Sequence, residues 1–206
     1  MTSIEWAVAA EPKPGCAVSG DAYCVRTFLE GTLVVVMDGI GHGPEAKAAA
    51  DAAAAVVAGL ATPPALTALI QLCHEASRRT RGVVMSAVWF PAAKGELAWA
   101  GVGNVDGVVR KQRSRTAPGR KLRERLSTAG GIVGDSKLPR FQTSTVALDD
   151  GDLVILATDG APGAVLADGP AWGSAQSLAD GLLATHSNKT DDALVFVAHW
   201  RGVDGP

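Results

Sequence analysis

The sequence has few cysteines, almost no net charge and no long apolar run. Its three cysteines, Cys16, Cys24 and Cys73, are odd in number and lack the paired spacing of a zinc motif. A chain of 206 residues also needs no disulfide staples, so a reducing cytoplasm is the expected location. The net charge of −2 gives no global field that would recruit nucleic acid or an anionic membrane. Partners therefore have to be inferred from particular sites.

Secretion and membrane insertion are also disfavoured. Residues 1–15 contain Glu5 and no basic segment leading into an apolar stretch, so they do not resemble a secretory signal. No window approaches the roughly 18 apolar residues of a membrane span, because Lys47 and Asp51 interrupt even the alanine-rich stretch. With 47% apolar residues, the sequence predicts a single domain over residues 1–206 with a full core and no membrane partner.

Short segments rich in β-branched or aromatic residues, bounded by Gly, Pro or Asp, predict the strands. Strands are predicted over 32–37, 152–157 and 193–200, and their runs 33–37, 153–157 and 193–198 are continuously apolar, as expected for strands covered on both faces. The remaining strands are predicted near 4–9, 23–29, 83–90, 95–101, 104–110 and 141–147. Alanine content and terminal signals predict helices over 44–60, 64–80 and 172–185.

The connections between strands favour antiparallel pairing. Short turns over 92–96, 101–104 and 149–152 join consecutive strands, which is typical of hairpins. Strands outnumber helices and do not alternate with them regularly. This pattern predicts an α+β sandwich rather than repeated βαβ units.

One segment, over 111–125, is strongly basic and contains a single acidic residue, Glu124. It is interpreted either as a solvated loop or hairpin tip, or as a docking surface for an acidic or phosphorylated partner. Nucleic acid is not predicted as its ligand, because no aromatic residue is interleaved to stack on bases.

Aspartates occupy the ends of four predicted strands, each next to Gly or another Asp. They are Asp21, Asp38, Asp159 and the pair Asp191 and Asp192. Strand ends on a shared rim bring distant residues together, and clustered carboxylates repel by about 4 kcal/mol per pair at ~4 Å in an effective dielectric near 20. Divalent cations are the natural counter-charge.

The donor type in this set favours Mg²⁺ or Mn²⁺, which bind oxygen ligands. Two such ions ~4 Å apart activate a water and polarise a phosphoryl oxygen. Glycines follow Asp38 and Asp159, and a residue without Cβ lets its carbonyl approach an ion closely. Either Asp-Gly pair alone is typical of a turn, but the ordered set across the chain indicates a metal site.

The segments VSGDAY, VVVMDGIGHGPEA, GVGN, GGIVG, VILATDGAPG and TDDALVFV together resemble the metal-dependent protein phosphatase family, protein phosphatase 2C, over nearly the full chain. The DGIGHG segment and the short length are similar to its sporulation and stress branch, and most of all to RsbX-type phosphatases that act on stressosome proteins. The resemblance implies an αββα sandwich of two antiparallel sheets flanked by helices, without a flap insertion.

The resemblance also implies the composition of a two-metal site. Asp38 would bridge two Mn²⁺ or Mg²⁺ ions, and the Gly39 carbonyl would bind one of them. Asp21, Asp159 and Asp191 match the positions of the other carboxylates. Asp192 is the second choice to Asp191, with a turn before the strand as its alternative role.

Two catalytic positions depart from the family pattern. Many members carry a histidine two residues after the bridging aspartate, where it can act as general acid. Here that position is Ile40, and His42 is the candidate donor, with packing or helix capping as its alternative role. The phosphate-binding arginine of eukaryotic members has no clear match, and Arg26 either faces the cleft or lies on a strand surface.

The sequence therefore predicts a cytoplasmic, monomeric serine/threonine phosphatase that acts on a phosphorylated regulatory protein of the stressosome scaffold or antagonist type. One alternative is a pseudophosphatase that binds a phosphoprotein without hydrolysing it, and another is a hydrolase of small phosphorylated molecules. GGIVG lacks the GK[ST] of a phosphate loop, and no GxSxG hydrolase elbow is present. GVGN is interpreted as a hairpin turn rather than a direct substrate contact.

Overall fold

Ten strands and three helices form from the residues that the structure describes, 4–112, 123–166 and 173–202, in a computed structural model of the chain. The strands are β1 (Ile4–Glu11), β2 (Asp21–Phe28), β3 (Gly31–Gly39), β4 (Val83–Pro91), β5 (Glu96–Val102), β6 (Asp106–Arg110), β7 (Arg123–Leu126), β8 (Ser144–Ala147), β9 (Leu153–Ala157) and β10 (Ala193–Trp200). The helices are α1 (Pro44–Ala58), α2 (Leu66–Ser77) and α3 (Ala175–His186).

The strands form two five-stranded antiparallel sheets. The first has the order β1-β10-β9-β6-β7 and the second β2-β3-β4-β5-β8. Helix α3 packs on β1 and β10, whereas α1 packs on β2, β3 and α2. The predicted αββα sandwich is therefore confirmed. No described helix has the length and apolarity that crossing a membrane requires.

Three apolar layers hold the sandwich together. The layer between the sheets contains the large buried side chains Phe90, Trp99, Phe196 and Trp200. A second layer lies between the first sheet and α3, and a third lies between the second sheet and helices α1 and α2. Every residue of β9 and β10 is buried, as the continuous apolar runs predicted. The ends of these strands are therefore fixed by packing on both faces.

Two of the three turns predicted as hairpins connect different sheets. The turn after β4 does join the paired strands β4 and β5. The GVGN turn instead leads from β5 in the second sheet to β6 in the first, and residues 149–152 lead from β8 to β9 in the same way. Gly and Asp favour any tight reversal of the chain, so the local signal is the same for a hairpin and for a corner of the sandwich.

The structure describes both ends of the basic segment, residues 111–112 and 123–125, whereas positions 113–122 lie outside the described residues. Its C-terminal end is β7, a strand not predicted from the sequence, which pairs with β6. Its N-terminal residue Lys111 is buried, and its Nζ lies 2.6 Å from Asp152 Oδ2. Both side chains are 1% exposed, so this part of the segment is not a solvated face. The docking role of the segment stays a prediction.

We predict that Lys111→Met destabilises the protein by about 3–5 kcal/mol, because it leaves the Asp152 carboxylate buried without its cation. The measurement is the free energy of unfolding in urea. Lys47→Met is the control, since the pair of Lys47 with Asp51 is exposed and should contribute about 0.5 kcal/mol or less. Equal losses in the two variants would contradict this account.

Candidate metal centre

Four strand ends bring the predicted aspartates to one end of the sandwich. Asp21 lies opposite Asp38 in the β2–β3 ladder. In the other sheet, Asp159 follows β9 and Asp191 precedes β10, and these two strands are neighbours. Thr158 joins the two sheets, because its Oγ1 donates to Asp21 Oδ2 at 2.7 Å and accepts from the Leu194 N–H at 2.9 Å. The sheets thus bring both pairs of aspartates to one rim.

Burial and mutual repulsion oppose ionisation of these carboxyl groups. Burial, followed by the charges of neighbouring aspartates, raises the pKa of Asp38 to about 8. Burial also raises the pKa of Asp21 to about 7, and the hydrogen bond from Thr158 offsets part of this effect. The pKa of Asp159 is raised by burial and by the charge of Asp191. The ionised neighbours that shift the pKa of Asp38 are all carboxylates.

Asp192 has a different environment from Asp191. Its side chain is buried, with the residue 3% exposed. One carboxylate oxygen accepts from the Lys13 N–H and the other from the Gly20 N–H, both at 2.7 Å. Asp191 is only half-buried, and its Oδ1 accepts from the Asp192 N–H at 2.9 Å. Asp192 therefore fastens the loop before β2 to the start of β10.

Two glycines allow close backbone approach at the rim. A Cβ built on Gly39 would lie 2.0 Å from the Ala46 carbonyl oxygen in α1. A Cβ on Gly160 would lie 1.9 Å from the Asp192 carbonyl oxygen. Both distances are too short for any side chain, so the residues after Asp38 and Asp159 are confined to glycine by packing.

Two asparagines hold the segment around Asp159. Asn104, in the GVGN turn, donates from Nδ2 to Asp159 Oδ2 at 2.8 Å. Asn188 donates to the Asp159 carbonyl oxygen at 3.1 Å. The sequence analysis assigned no site role to Asn104, Asn188 or Thr158. GVGN was among the segments that carried the family resemblance, and Thr158 lies inside ATDG, so the signal for two of the three was present in the motifs.

Comparison with known proteins agrees with this geometry. The sequence model of the family described as Stage II sporulation protein E (SpoIIE) matches residues 30–201. The chain belongs to the SpoIIE family. This family is part of the protein phosphatase 2C group, as the sequence resemblance implied. No curated protein shows significant similarity to the chain in sequence.

Solved structures with a similar fold align with nearly the whole chain. A structure from work on the bacterial stressosome, a modular system adapted to control secondary messenger signalling, has 25% identity and a TM-score of 0.78, covering 95% of this chain and 99% of the other. RsbX in complex with magnesium has 20% identity and a TM-score of 0.77, with coverages of 95% and 94%. The catalytic domain of the serine/threonine phosphatase PstP with two manganese ions has 16% identity and a TM-score of 0.65, with coverages of 97% and 99%. The last two show the fold alone.

The donor set of this SpoIIE-family chain fits Mg²⁺ or Mn²⁺. The carboxylates and the Gly39 carbonyl are hard oxygen donors, which these ions prefer. The aspartates surround the rim without converging fully, since no three Asp, Glu, His or Cys side chains of the described residues are arranged to hold an ion. Burial and then the neighbouring aspartates raise the pKa of Asp38, and no cationic side chain of the described residues contributes to this shift. A bound cation would supply the opposite charge.

His42 and Arg26 differ in how they relate to this rim. His42 is exposed in the loop between β3 and α1, and its Nδ1 lies 3.8 Å from Cys16 Sγ. The N-cap of α1 is Gly43, without a side-chain cap, so the alternative roles of packing and capping do not describe His42. Arg26 donates to the carbonyl oxygens of Ala58 and Leu60 at the C-terminal end of α1. The possibility that Arg26 faces the cleft is thus wrong.

We predict that the metal-free protein loses stability as the pH rises from about 4 to about 8. Asp21 and Asp38 have folded pKa values of about 7 and about 8 against an ordinary value of 3.8, so in this window the folded state binds more protons than the unfolded chain. The slope is at most about 1.4 kcal/mol per pH unit for each carboxyl.

Thermal unfolding in a chelator at pH 5, 6, 7 and 8 measures this dependence. Asp38→Asn should flatten the curve and raise the unfolding temperature at pH 8. Asp51→Asn, at an exposed position of α1, should leave the curve unchanged. A wild-type curve that rises toward pH 8 would overturn the assignment.

Proposed function

We propose that this protein is a metal-dependent serine/threonine protein phosphatase that hydrolyses a phosphate ester with two divalent cations. The observation that carries the proposal is that four strand ends from two sheets meet at one rim, each with an aspartate within two residues of the end of its strand. Asp21 and Asp38 pair directly across the ladder. Such a concentration of carboxylates opposes folding unless it binds cations, so a purely structural role does not account for it.

The residues around the rim have two proposed roles, which are to hold the metal ions and to orient the residues that hold them. Two bound Mn²⁺ or Mg²⁺ ions would activate the attacking water and neutralise charge on the phosphoryl oxygens. Asp38 and the Gly39 carbonyl would hold the ions between the sheets, together with Asp21, Asp159 and Asp191. Thr158 orients Asp21, and Asn104 orients Asp159, through the hydrogen bonds described above. These contacts support fixed ligand positions before any ion binds.

Protonation of the leaving oxygen is the role we propose for His42. The residue is exposed four positions after Asp38, on the loop that leads into α1. Serine or threonine leaves as an alkoxide unless a donor supplies a proton, and histidine is the side chain that most often serves as such a donor.

We propose a phosphorylated regulatory protein, of the stressosome scaffold or antagonist type, as the substrate. The structural similarity to a protein from the stressosome system supports this choice. All three cysteines are free thiols, which supports action in the cytoplasm. We propose that the protein acts there as a monomer.

We predict that Mn²⁺ activates hydrolysis of p-nitrophenyl phosphate and that Asp38→Asn lowers this activity about 100-fold or more, because a carboxylate that would hold the ions is lost. Asp51→Asn is the matched control, since it changes the same group at an exposed position of α1. Equal activity with and without Mn²⁺, or an active Asp38→Asn variant, would refute the proposal. Phosphoprotein binding without turnover would instead identify a pseudophosphatase.

We further predict opposite effects of the two neighbouring aspartates. Asp191→Asn should raise the Mn²⁺ concentration needed for half-maximal activity and should not lower the metal-free stability, because it removes one of the charges that repel Asp38 and Asp159. Asp192→Asn should lower the free energy of unfolding by about 2–3 kcal/mol, because one of two charged acceptors for backbone N–H groups is lost. Mn²⁺ titration and urea unfolding in a chelator distinguish them, and the reverse pattern would make Asp192 the ligand.

A further inference from the structure

The turn between α2 and β4 forms an open cavity beside the β3–α1 loop. The cavity has a volume of about 300 Å³ and is lined by Glu45, Ala48, Arg79, Thr80 and Arg81. The first two residues belong to α1, and the other three belong to the turn. Two guanidinium groups and one carboxylate therefore line a recess, which is a charge pattern suited to an anionic ligand.

Strand pairing places this cavity near the metal centre. Asp38 lies opposite Val84, and beyond the ladder the Ile40 N–H donates to the Gly82 carbonyl oxygen at 3.0 Å. Arg81 precedes Val84 by three residues, so the two residues are at most about 10 Å apart. A Cβ built on Gly41 would lie 2.9 Å from Arg81 Nη1, so the guanidinium borders the loop that carries His42.

The cations of the cavity are only partly neutralised. Arg81 forms an ion pair with Glu45, and the two side chains are 49% and 67% exposed. Arg79 is exposed and forms no ion pair with any other described residue. The cavity therefore retains a positive charge that is available to a ligand.

The hydrogen bonds of Thr80 fix the backbone of the turn that carries the two arginines. The Oγ1 of Thr80 donates to the Ser77 carbonyl oxygen at 2.7 Å and accepts from the Gly82 N–H at 3.0 Å. These bonds tie the end of α2 to the start of β4. Arg79 and Arg81 flank Thr80 in sequence, so both project from a turn whose backbone is held on each side.

We propose that this cavity binds an acidic side chain of the protein substrate, two or three residues from the phosphorylated residue; this inference rests on the phosphatase function proposed above. Three residues of extended chain span about 10 Å, which is also the largest possible separation between Arg81 and Val84, the residue opposite Asp38. The carboxylate of an acidic substrate side chain would pair with Arg79, and the aliphatic part of the same side chain would contact Ala48. The cavity would thus select protein substrates by the residues that flank the phosphate.

The test uses phosphoserine peptides that differ only in carrying Asp or Asn two or three positions before or after the phosphoserine. We expect Asp at one of these positions to lower KM about fivefold, the value of a partly exposed charge pair with a charge-assisted hydrogen bond. Arg79→Gln and Arg81→Gln should abolish this preference, and 0.5 M NaCl should weaken it. Arg78→Gln is the control, because Arg78 pairs with Glu75 on α2 and does not line the cavity.

Two further readouts separate this inference from the proposed function. Hydrolysis of p-nitrophenyl phosphate, which has no flanking residues, should be equal in all four proteins. Fluorescence anisotropy with labelled peptides carrying a non-hydrolysable phosphonate measures the Asp preference without turnover. Preference in binding without hydrolysis of p-nitrophenyl phosphate would reject the phosphatase activity and keep the cavity's role. Normal hydrolysis with equal affinity for Asp and Asn peptides, or a preference that survives both arginine substitutions, would overturn the inference.

Discussion

Repulsion between carboxylates held at one end of the sandwich is the constraint on which the rest of the structure depends. Like charges at ~4 Å repel by about 4 kcal/mol in an effective dielectric near 20, and burial adds to the cost. The raised pKa values of Asp21 and Asp38 express both effects. Three apolar layers offset this cost, and strands buried on both faces keep the aspartates from moving apart. The core thus maintains a local charge density that the rim alone would not tolerate.

Neutral contacts position the charged groups. The hydroxyl of Thr158 links Asp21 to β10, and the missing Cβ of Gly160 lets the segment after Asp159 approach the start of the same strand. Asp192 is the most deeply buried acidic residue of the rim, and both of its carboxylate oxygens accept hydrogen bonds from backbone N–H groups. Two adjacent aspartates therefore differ in role because of their hydrogen bonds. In the described part of the chain, Asp191 accepts only the Asp192 N–H, which is why we propose it, rather than Asp192, as a metal ligand.

The sequence predicted the features that local pattern determines. Continuous apolar runs located β3, β9 and β10, and Asp-Gly pairs at their ends located the rim. Features that depend on distant pairing were not predicted. Strand β7 has no apolar alternation and forms through its ladder with β6. Whether the GVGN turn closes a hairpin or connects two sheets depends on which sheet contains β6. The hydrogen bonds from Arg26 to the C-terminal end of α1 form only when α1 packs beside β2. Local residue types carried none of this information.

The distribution of basic residues explains why the aspartates stay uncompensated. A lysine or arginine among them would lower their pKa values and stabilise the metal-free fold, but it would also compete with divalent cations for the same oxygens. In the described residues, Arg26 is committed to the end of α1, and Lys111 pairs with Asp152 before β9, at the opposite end of that strand from Asp159. At the rim, Lys189 pairs with Glu11 and Arg81 with Glu45, two carboxylates outside the candidate ligand set. Backbone carbonyls therefore occupy Arg26, and separate ion pairs occupy the other three cations, so none of the four pairs with the central aspartates.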